Sequence, residues 1–378
     1  MTCGHVTRFA SKLRALNSVI VAVTTSQHHH HHHHHRHKSF PSLGTHHPQR
    51  LLLDLRHISS NPHVISGRYG RRRSKVGVMA LVEDWLPPTR EHYEIILRVW
   101  QLAYPVASVA DEPNQLGSLQ WLISWYGMGK TSVASRLNLP GRVAWMTMEA
   151  PGALTLLYLM NTMPQQHGVD DLPWQNRVLG GLFVIHYSYR AIIFPILQPS
   201  MAPIHLFVWG LALSFQLFNA TCLGSWLSAY GPVTDDAWAS QSPLLQFAVG
   251  LVVFYVGLAS NFFHDEELRD IRRNENRREE RTRGGSQRAS PSARPTKHYG
   301  IPQAGLFRYM LFPHYFCEWI EWLGFLMAAG WTCAPAWAFL VNEVCAMLPR
   351  AVNGKRWYVQ KFGQDKVGKK WAVIPGLL

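Results

Sequence analysis

The amino-acid sequence predicts an all-α, polytopic membrane protein, a helical bundle with about seven transmembrane helices. Of its 378 residues, 47% are hydrophobic and 12% are aromatic, yet the charged residues are not evenly mixed among them. The charges concentrate before residue 80, between residues 264 and 298, and after residue 350. Long apolar runs make up the rest of the chain, which is the pattern of membrane spans joined by wet loops.

Residues 1–78 differ in composition from everything that follows. They contain eight consecutive histidines at 28–35, twelve Lys or Arg residues and a single acid, Asp54. This composition predicts a disordered or transit-like extension, because it offers too little apolar surface to offset the entropy of ordering. An alternative interpretation is that translation starts at Met79. Residues 79–378 are therefore expected to form the membrane domain.

Six apolar runs are clear candidate spans, and a seventh is weaker. The weak span covers 93–126, where the polar run DEPNQ at 111–115 indicates a broken helix. The charged stretch 273–297, which becomes rich in Ser, Pro and Gly, is expected to be a disordered cytosolic insertion. The six clear spans are 143–163, 176–198, 203–228, 241–263, 314–331 and 334–349.

The connections between the spans alternate in charge. Residues 127–142 are basic, residues 164–175 contain two Asp residues, and residues 264–308 and the tail after 349 are basic again. Because Lys and Arg accumulate on the cytoplasmic side of membrane proteins, we expect the C-terminus in the cytosol. The net charge of +14 is then explained without nucleic acid, and we identify no basic motif with interleaved aromatics and no metal-ligand spacing.

Ionisable side chains recur inside the apolar runs, where they are costly unless they are paired. His314, Glu318 and Glu321 are spaced i, i+4 and i+7, so they share one face of a helix. In HYSYR at 186–190, His186 and Arg190 are one helical turn apart, with Tyr187 on an adjoining face, and they give a second polar lining. A bundle that gathers such faces would line a cavity for a large anionic ligand with ribose and amide groups, or an ion pathway. The other polar positions are Glu149, then Asn261, Asp265, Arg269 and Arg272, and finally Arg350 and Tyr358.

Several blocks of the sequence resemble the steroid 5α-reductase family. The C-terminal block, 299–378, contains YGIPQAGLFRYMLFPHYFCEWIEWLGF, LPRAVNGKRWYVQKF and AVIP. NFFHD, HYSYR and GRVAWMTMEAP precede it, so that the similarity extends over roughly 120–378. The resemblance implies a seven-span enzyme of the endoplasmic reticulum. With NADPH, it would reduce the C4–C5 double bond of a 3-oxo-Δ4-steroid or a related sterol enone. We expect a monomer in contact with membrane lipid.

The resemblance also implies roles for individual residues. Glu149 and Tyr187 would hydrogen-bond the carbonyl oxygen of the substrate, and Trp145 and Arg190 would line the substrate pocket. This fits the chemistry, because negative charge develops on that oxygen while hydride reaches the β-carbon. The positions that match cofactor contacts in the family are Asn261, Asp265, Arg272, His314, Glu318, Arg350 and Tyr358.

Two positions depart from the family pattern, and other functions stay open. Met148 stands where some relatives have glutamine, and Gly354 stands where several have histidine. Related branches reduce enoyl-CoA or polyprenol double bonds, although the Met-Glu pair in MTMEAP favours the steroid branch. A transporter that uses the intramembrane charges as a relay is the alternative from another class.

Overall fold

A computed structural model describes residues 82–108, 134–283 and 300–377 of this chain. These residues are mostly helical, which agrees with the predicted all-α class. The N-terminal extension, 1–78, lies outside the described residues, and so does the interruption predicted at 111–115. The predictions for those two segments therefore stay predictions.

The helices correspond closely to the predicted apolar runs. The third contains a π-helical segment at Ser188–Ile193, and the fourth ends in another at Trp226–Tyr230. In chain order they are α1 (Arg90–Ser108), α2 (Gly141–Gln166), α3 (Trp174–Leu197), α4 (Leu206–Tyr230), α5 (Asp235–Gln241), α6 (Leu244–Arg283), α7 (Pro313–Ala329), α8 (Ala334–Phe362) and α9 (Gln364–Val367).

Two short strands tie the start of α2 to the start of α4. β1 (Asn138–Leu139) pairs antiparallel with β2 (Ile204–His205), with Asn138 opposite His205. His205 also caps α4, because its Nδ1 accepts a hydrogen bond from the backbone N–H of Phe207 at 3.2 Å. The two helices therefore begin side by side.

Three helices in the described part of the chain are long and apolar enough to cross a membrane. They are α3, α4 and the first part of α6, Leu244–Asn274. The predicted total of about seven spans is not confirmed, although α2, α7 and α8 begin close to three further predicted spans. α7 has only 17 residues, fewer than the roughly 20 that cross the hydrocarbon core without help.

Helix α6 is longer than the sequence predicts. The predicted span ends at residue 263, and residues 273–297 are expected to form a disordered insertion, yet the helix continues to Arg283. That expectation is wrong for 273–283, because Arg and Glu are good helix formers. Arg273 supports the extension with Nη1 contacts to Glu266 at 2.7 Å and to Asp270 at 3.2 Å. Residues 284–297 lie outside the described ranges.

Helices α6 and α7 pack with their backbones close together. A Cβ added to Gly257 would meet the backbone of Glu321, and one added to Gly324 would meet the backbone of Phe254. Membrane helices approach so closely only where side chains are absent. These glycines therefore bring the polar face of α6 against the polar face of α7.

An aromatic core lies next to these polar faces. The Trp322 ring is 4.3 Å from the Phe339 ring and 4.6 Å from the His186 ring, measured between centroids. Outside this core, α6 presents exposed Leu245 and Val252, as expected of a helix that faces lipid tails.

Candidate active site

Three helices bring polar side chains to one point of the bundle. Gln216, from α4, donates a hydrogen bond from Nε2 to Oε2 of Glu149, on α2, at 2.5 Å. The Gln216 amide also lies beside the hydroxyl of Tyr187, on α3, a residue that is 2% exposed. The carboxyl and the phenol that the resemblance assigns to the substrate carbonyl therefore share a neighbour.

The π-helical segment of α3 follows Tyr187 directly. Tyr187 and Tyr189 are both 2% exposed, although residues i and i+2 point to nearly opposite sides of a regular α-helix. Such π-helical turns are rare and occur frequently at functional sites. Here the widened turn presents Arg190 to the interior as well, with its side chain 15% exposed.

Arg190 and Trp145, the two predicted substrate-lining residues, are in contact. The Trp145 indole Nε1 donates to the Arg190 carbonyl at 3.0 Å. The guanidinium carbon of Arg190 lies 5.4 Å from the Trp145 ring centroid and 5.1 Å from that of Phe194. A cation held over aromatic rings in this way is stabilised by the negative faces of the rings.

Glu318 lies at the centre of the buried polar network. Its Oε2 accepts a hydrogen bond from Asn261 Nδ2 at 3.1 Å. Its Oε1 lies 3.7 Å from His186 Nε2 and 3.8 Å from Arg190 Nε. The other ring nitrogen of His186, Nδ1, is 2.7 Å from Glu321 Oε1. Glu318 and Glu321 of the stripe on α7 are thus paired by side chains from α3 and α6.

Asp265 is paired through a tyrosine. The Tyr189 hydroxyl donates to Asp265 Oδ2 at 3.0 Å and accepts from Arg269 Nη2 at 3.2 Å. Arg272, on the same face of α6, points elsewhere and donates from Nη1 to Gln198 Oε1 at 3.2 Å. Arg272 therefore lies at the end of α3 rather than inside the network.

Tyr315 connects His314 and Arg350 to Glu318. The His314 ring is 4.5 Å from that of Tyr315, between centroids. Tyr315 is in electrostatic contact with both Arg350 and Glu318. Tyr358, in contrast, is buried in an apolar cluster with Leu311 and Val367. Of the predicted cofactor residues, Tyr358 is the one whose surroundings are mainly apolar.

Gly354 has a packing role in this chain. A Cβ at this position would meet the ring of Phe312, which lies 6.2 Å from the Tyr358 ring between centroids. The ring of Phe312 thus occupies the space that a side chain at position 354 would need. A histidine there would require Phe312 to move.

Several buried polar atoms of this network have no hydrogen-bond partner among the described residues. They include Asn261 Oδ1, Arg269 Nη1 and Arg350 Nε, beside Gln216 Oε1 and Glu321 Oε2. A buried donor or acceptor without a partner costs roughly 1–3 kcal/mol, and more when it is charged. Two cationic donors and an amide acceptor suit a ligand that offers phosphate oxygens together with hydroxyl or carboxamide groups.

Three residues near this site were not among the predicted site residues. Gln216 and Tyr315 are uncharged, so the search for ionisable groups in apolar runs passed over them. Glu343, on α8, is 7% exposed and is in electrostatic contact with Tyr187 and Glu318. An acid inside the apolar run 334–349 is the same signal that identified Glu149, so Glu343 could have been found from the sequence.

Comparison with known proteins points to one family. The sequence pattern described as 3-oxo-5-alpha-steroid 4-dehydrogenase matches residues 291–378. A 3-oxo-5-alpha-steroid 4-dehydrogenase 1 from Mus musculus is 31% identical over 260 residues, which cover 69% of this chain and 90% of that protein.

Two further relatives match a similar share of the chain. Steroid 5-alpha-reductase DET2 of Solanum lycopersicum is 30% identical over 262 residues, or 68% of this chain and 89% of that protein. An uncharacterized protein of Schizosaccharomyces pombe is 32% identical over 265 residues, or 66% of this chain and 90% of that protein. The chain belongs to the 3-oxo-5-alpha-steroid 4-dehydrogenase family, which is a family of oxidoreductases.

Proposed function

We propose that this protein reduces the C4–C5 double bond of a 3-oxo-Δ4-steroid, or of a related sterol enone, with NADPH. Two of the relatives named above are a steroid 5-alpha-reductase and a 3-oxo-5-alpha-steroid 4-dehydrogenase. One observation of the structure carries the proposal. Arg190 contacts the substrate-lining Trp145 on one side and faces Glu318, at 3.8 Å, on the other. The two predicted half-sites are therefore adjacent, as hydride transfer requires.

Tyr187 and Glu149 bind the substrate carbonyl in this proposal. Conjugate reduction places negative charge on that oxygen, and a hydroxyl donor in a dry site stabilises the charge as it develops. Tyr187 supplies one donor. Glu149, whose carboxyl is held by Gln216 at 2.5 Å, supplies a second donor when it is protonated, because an ionised carboxylate only accepts hydrogen bonds. The α-carbon then takes up a proton from solvent.

Asn261, Asp265, His314, Glu318 and Arg350 hold the cofactor in this proposal. NADPH supplies the hydride when it is bound. Arg350 offers a cationic donor for a phosphate, and Asn261 Oδ1, which is buried without a described partner, offers an acceptor for a carboxamide or a hydroxyl group. Tyr358 packs behind these cofactor residues through Phe312, and Arg272 lies near the edge of the group.

We propose that the protein is an integral membrane enzyme of the endoplasmic reticulum with a cytosolic C-terminus. The apolar spans α3, α4 and α6 support the membrane assignment. The tail after residue 349 is basic, which supports a cytosolic position for this end. Arg350 and the other proposed cofactor residues would then face the cytosol, which supplies NADPH.

Substrate-dependent oxidation of NADPH tests the proposed reaction. Purified protein in detergent or lipid nanodiscs is given NADPH with a 3-oxo-Δ4-steroid, a trans-2-enoyl-CoA or a polyprenol, and loss of absorbance at the nicotinamide band is followed. The proposal expects turnover with the steroid and a saturated 3-oxo product. Turnover with only the enoyl-CoA or the polyprenol would transfer the enzyme to another branch. Substrate transport without NADPH oxidation would support the transporter alternative.

A further inference from the structure

Gln216 occupies an unusual place for an uncharged polar residue. It lies near the middle of α4 and is 5% exposed, in a run of apolar residues. Burying an amide in such surroundings is unfavourable unless hydrogen bonds compensate for the lost water. The Gln216 amide has one such bond, from Nε2 to Glu149, whereas its Oε1 is buried without a partner among the described residues. Packing alone does not explain an amide at this position.

Helix α2 is shaped to receive this amide. Gly152 lies one turn after Glu149, and a Cβ added to Gly152 would stand 2.6 Å from Gln216 Oε1. The three nearest atoms to that added Cβ all belong to Gln216. Glu149 and Gly152 thus form the two sides of a slot, one by bonding the amide and the other by leaving room for it.

We propose that Gln216 is a positioning residue that fixes the Glu149 carboxyl against the substrate carbonyl. Its N–H group donates to one carboxyl oxygen, so the other oxygen of Glu149, which carries the proton, and the hydroxyl of Tyr187 face the substrate together. This inference rests on the proposed function, because it assigns Gln216 to the same site. Gln216 acts through Glu149 and Tyr187 and does not itself contact the reacting atoms.

The contact between Gln216 and Glu149 should affect kcat more than substrate binding. Charge on the carbonyl oxygen develops only in the transition state, so a misplaced carboxyl lowers kcat more than it weakens substrate binding. Losing a hydrogen bond between uncharged groups corresponds to roughly 2–10-fold in rate. Replacing Gln216 by the nearly isosteric, apolar Met should therefore lower kcat by about 2–10-fold. KM for the steroid and Kd for NADPH should stay close to wild type.

A second variant tests the slot without touching the amide chemically. Gly152→Ala adds a Cβ against Gln216, so it should lower kcat in the wild-type background. In a Gln216→Ala background the same Cβ has room, and Gly152→Ala should have little further effect. This non-additivity is the coupling that a double-mutant cycle measures. Gly181→Ala, on α3, is the matched control, because an added Cβ there would meet nothing within 4 Å.

Full-length enzyme in nanodiscs serves for all these variants, with Tyr187→Phe in the same series. Equal effects of Gly152→Ala in both backgrounds, or a wild-type kcat for Gln216→Met, would overturn the role of Gln216. A rise in KM for the steroid with an unchanged kcat in Gln216→Met would also overturn this role, because it would indicate a contact that only binds the substrate. If Gln216→Met does not fold, the kcat of Gly152→Ala decides instead, because this variant keeps Gln216. A wild-type kcat for Gly152→Ala would then overturn the role of Gln216. Normal turnover by Tyr187→Phe would instead refute the proposed function itself.

Discussion

Removing the Glu318 carboxylate is the perturbation for which the structure gives the clearest magnitude. Glu318 is 3% exposed, accepts a hydrogen bond from Asn261 and faces Arg190 at 3.8 Å. In Glu318→Ala, the Arg190 charge stays buried after its nearest carboxylate has gone. Breaking a buried ion pair by removing one partner costs about 3–5 kcal/mol, mostly because the remaining charge is uncompensated.

An exposed pair on α1 provides the control. Arg90 Nη2 lies 2.8 Å from Glu94 Oε1, closer than Arg190 lies to Glu318, but both side chains are largely in solvent. Exposed pairs at i, i+4 contribute about 0.3–0.5 kcal/mol. Distance alone would rank the Arg90–Glu94 pair as the stronger one, whereas burial ranks it far below Glu318.

The free energy of unfolding in mixed micelles, from a denaturing-detergent titration, measures both variants. We expect Glu318→Ala to lose at least about 3 kcal/mol and Glu94→Ala to lose less than about 1 kcal/mol. Equal losses for the two variants would refute the reasoning that burial, rather than distance, sets the value of these pairs.

Three further predictions test Tyr187 at the substrate carbonyl, Arg350 at the cofactor and the contact between α6 and α7. Tyr187→Phe should lower kcat by about 10²–10³-fold with unchanged NADPH affinity by fluorescence titration; a normal kcat would exclude Tyr187 as the donor. Arg350→Met should weaken NADPH binding by about tenfold or more, since it removes a charged donor. Arg356→Met, at an exposed position of the same helix, should leave that affinity unchanged, and equal losses would contradict the assignment. Gly257→Leu should lower the unfolding free energy by at least about 1–3 kcal/mol, because α6 and α7 must separate; Gly210→Leu, at an open position, is its control.

The fold was largely predictable because apolar runs identify helices that face lipid. The end of α6 was not, because a charged stretch reads equally well as a loop or as a solvated helix. The outcome depends there on pairings such as that of Arg273 with Glu266. The Gly257 contact with Glu321 was also beyond reach, because hydropathy patterns do not indicate which glycines face another backbone.

The site was predictable where spacing along one helix revealed it. His314, Glu318 and Glu321 stood out as a stripe, and the structure pairs two of them with His186. Contacts between helices are a different matter. Gln216 and Glu149 are separated by 67 residues, and an amide in an apolar run carries no signal of its own. The role of Glu321, as partner of His186 Nδ1, likewise emerged only from the three-dimensional arrangement.

Transfer of isotope from the cofactor shows whether the enzyme delivers hydride from NADPH to the double bond of the steroid. The enzyme is given NADPH that carries deuterium at C4 of the nicotinamide, together with a 3-oxo-Δ4-steroid, and the product is analysed by mass spectrometry and NMR. We expect one deuterium at C5, the β-carbon of the enone, and an ordinary hydrogen from water at C4. Deuterium at C3, with a 3-hydroxy product, would show that the carbonyl is reduced instead, and the roles given to Tyr187 and Glu149 would be wrong.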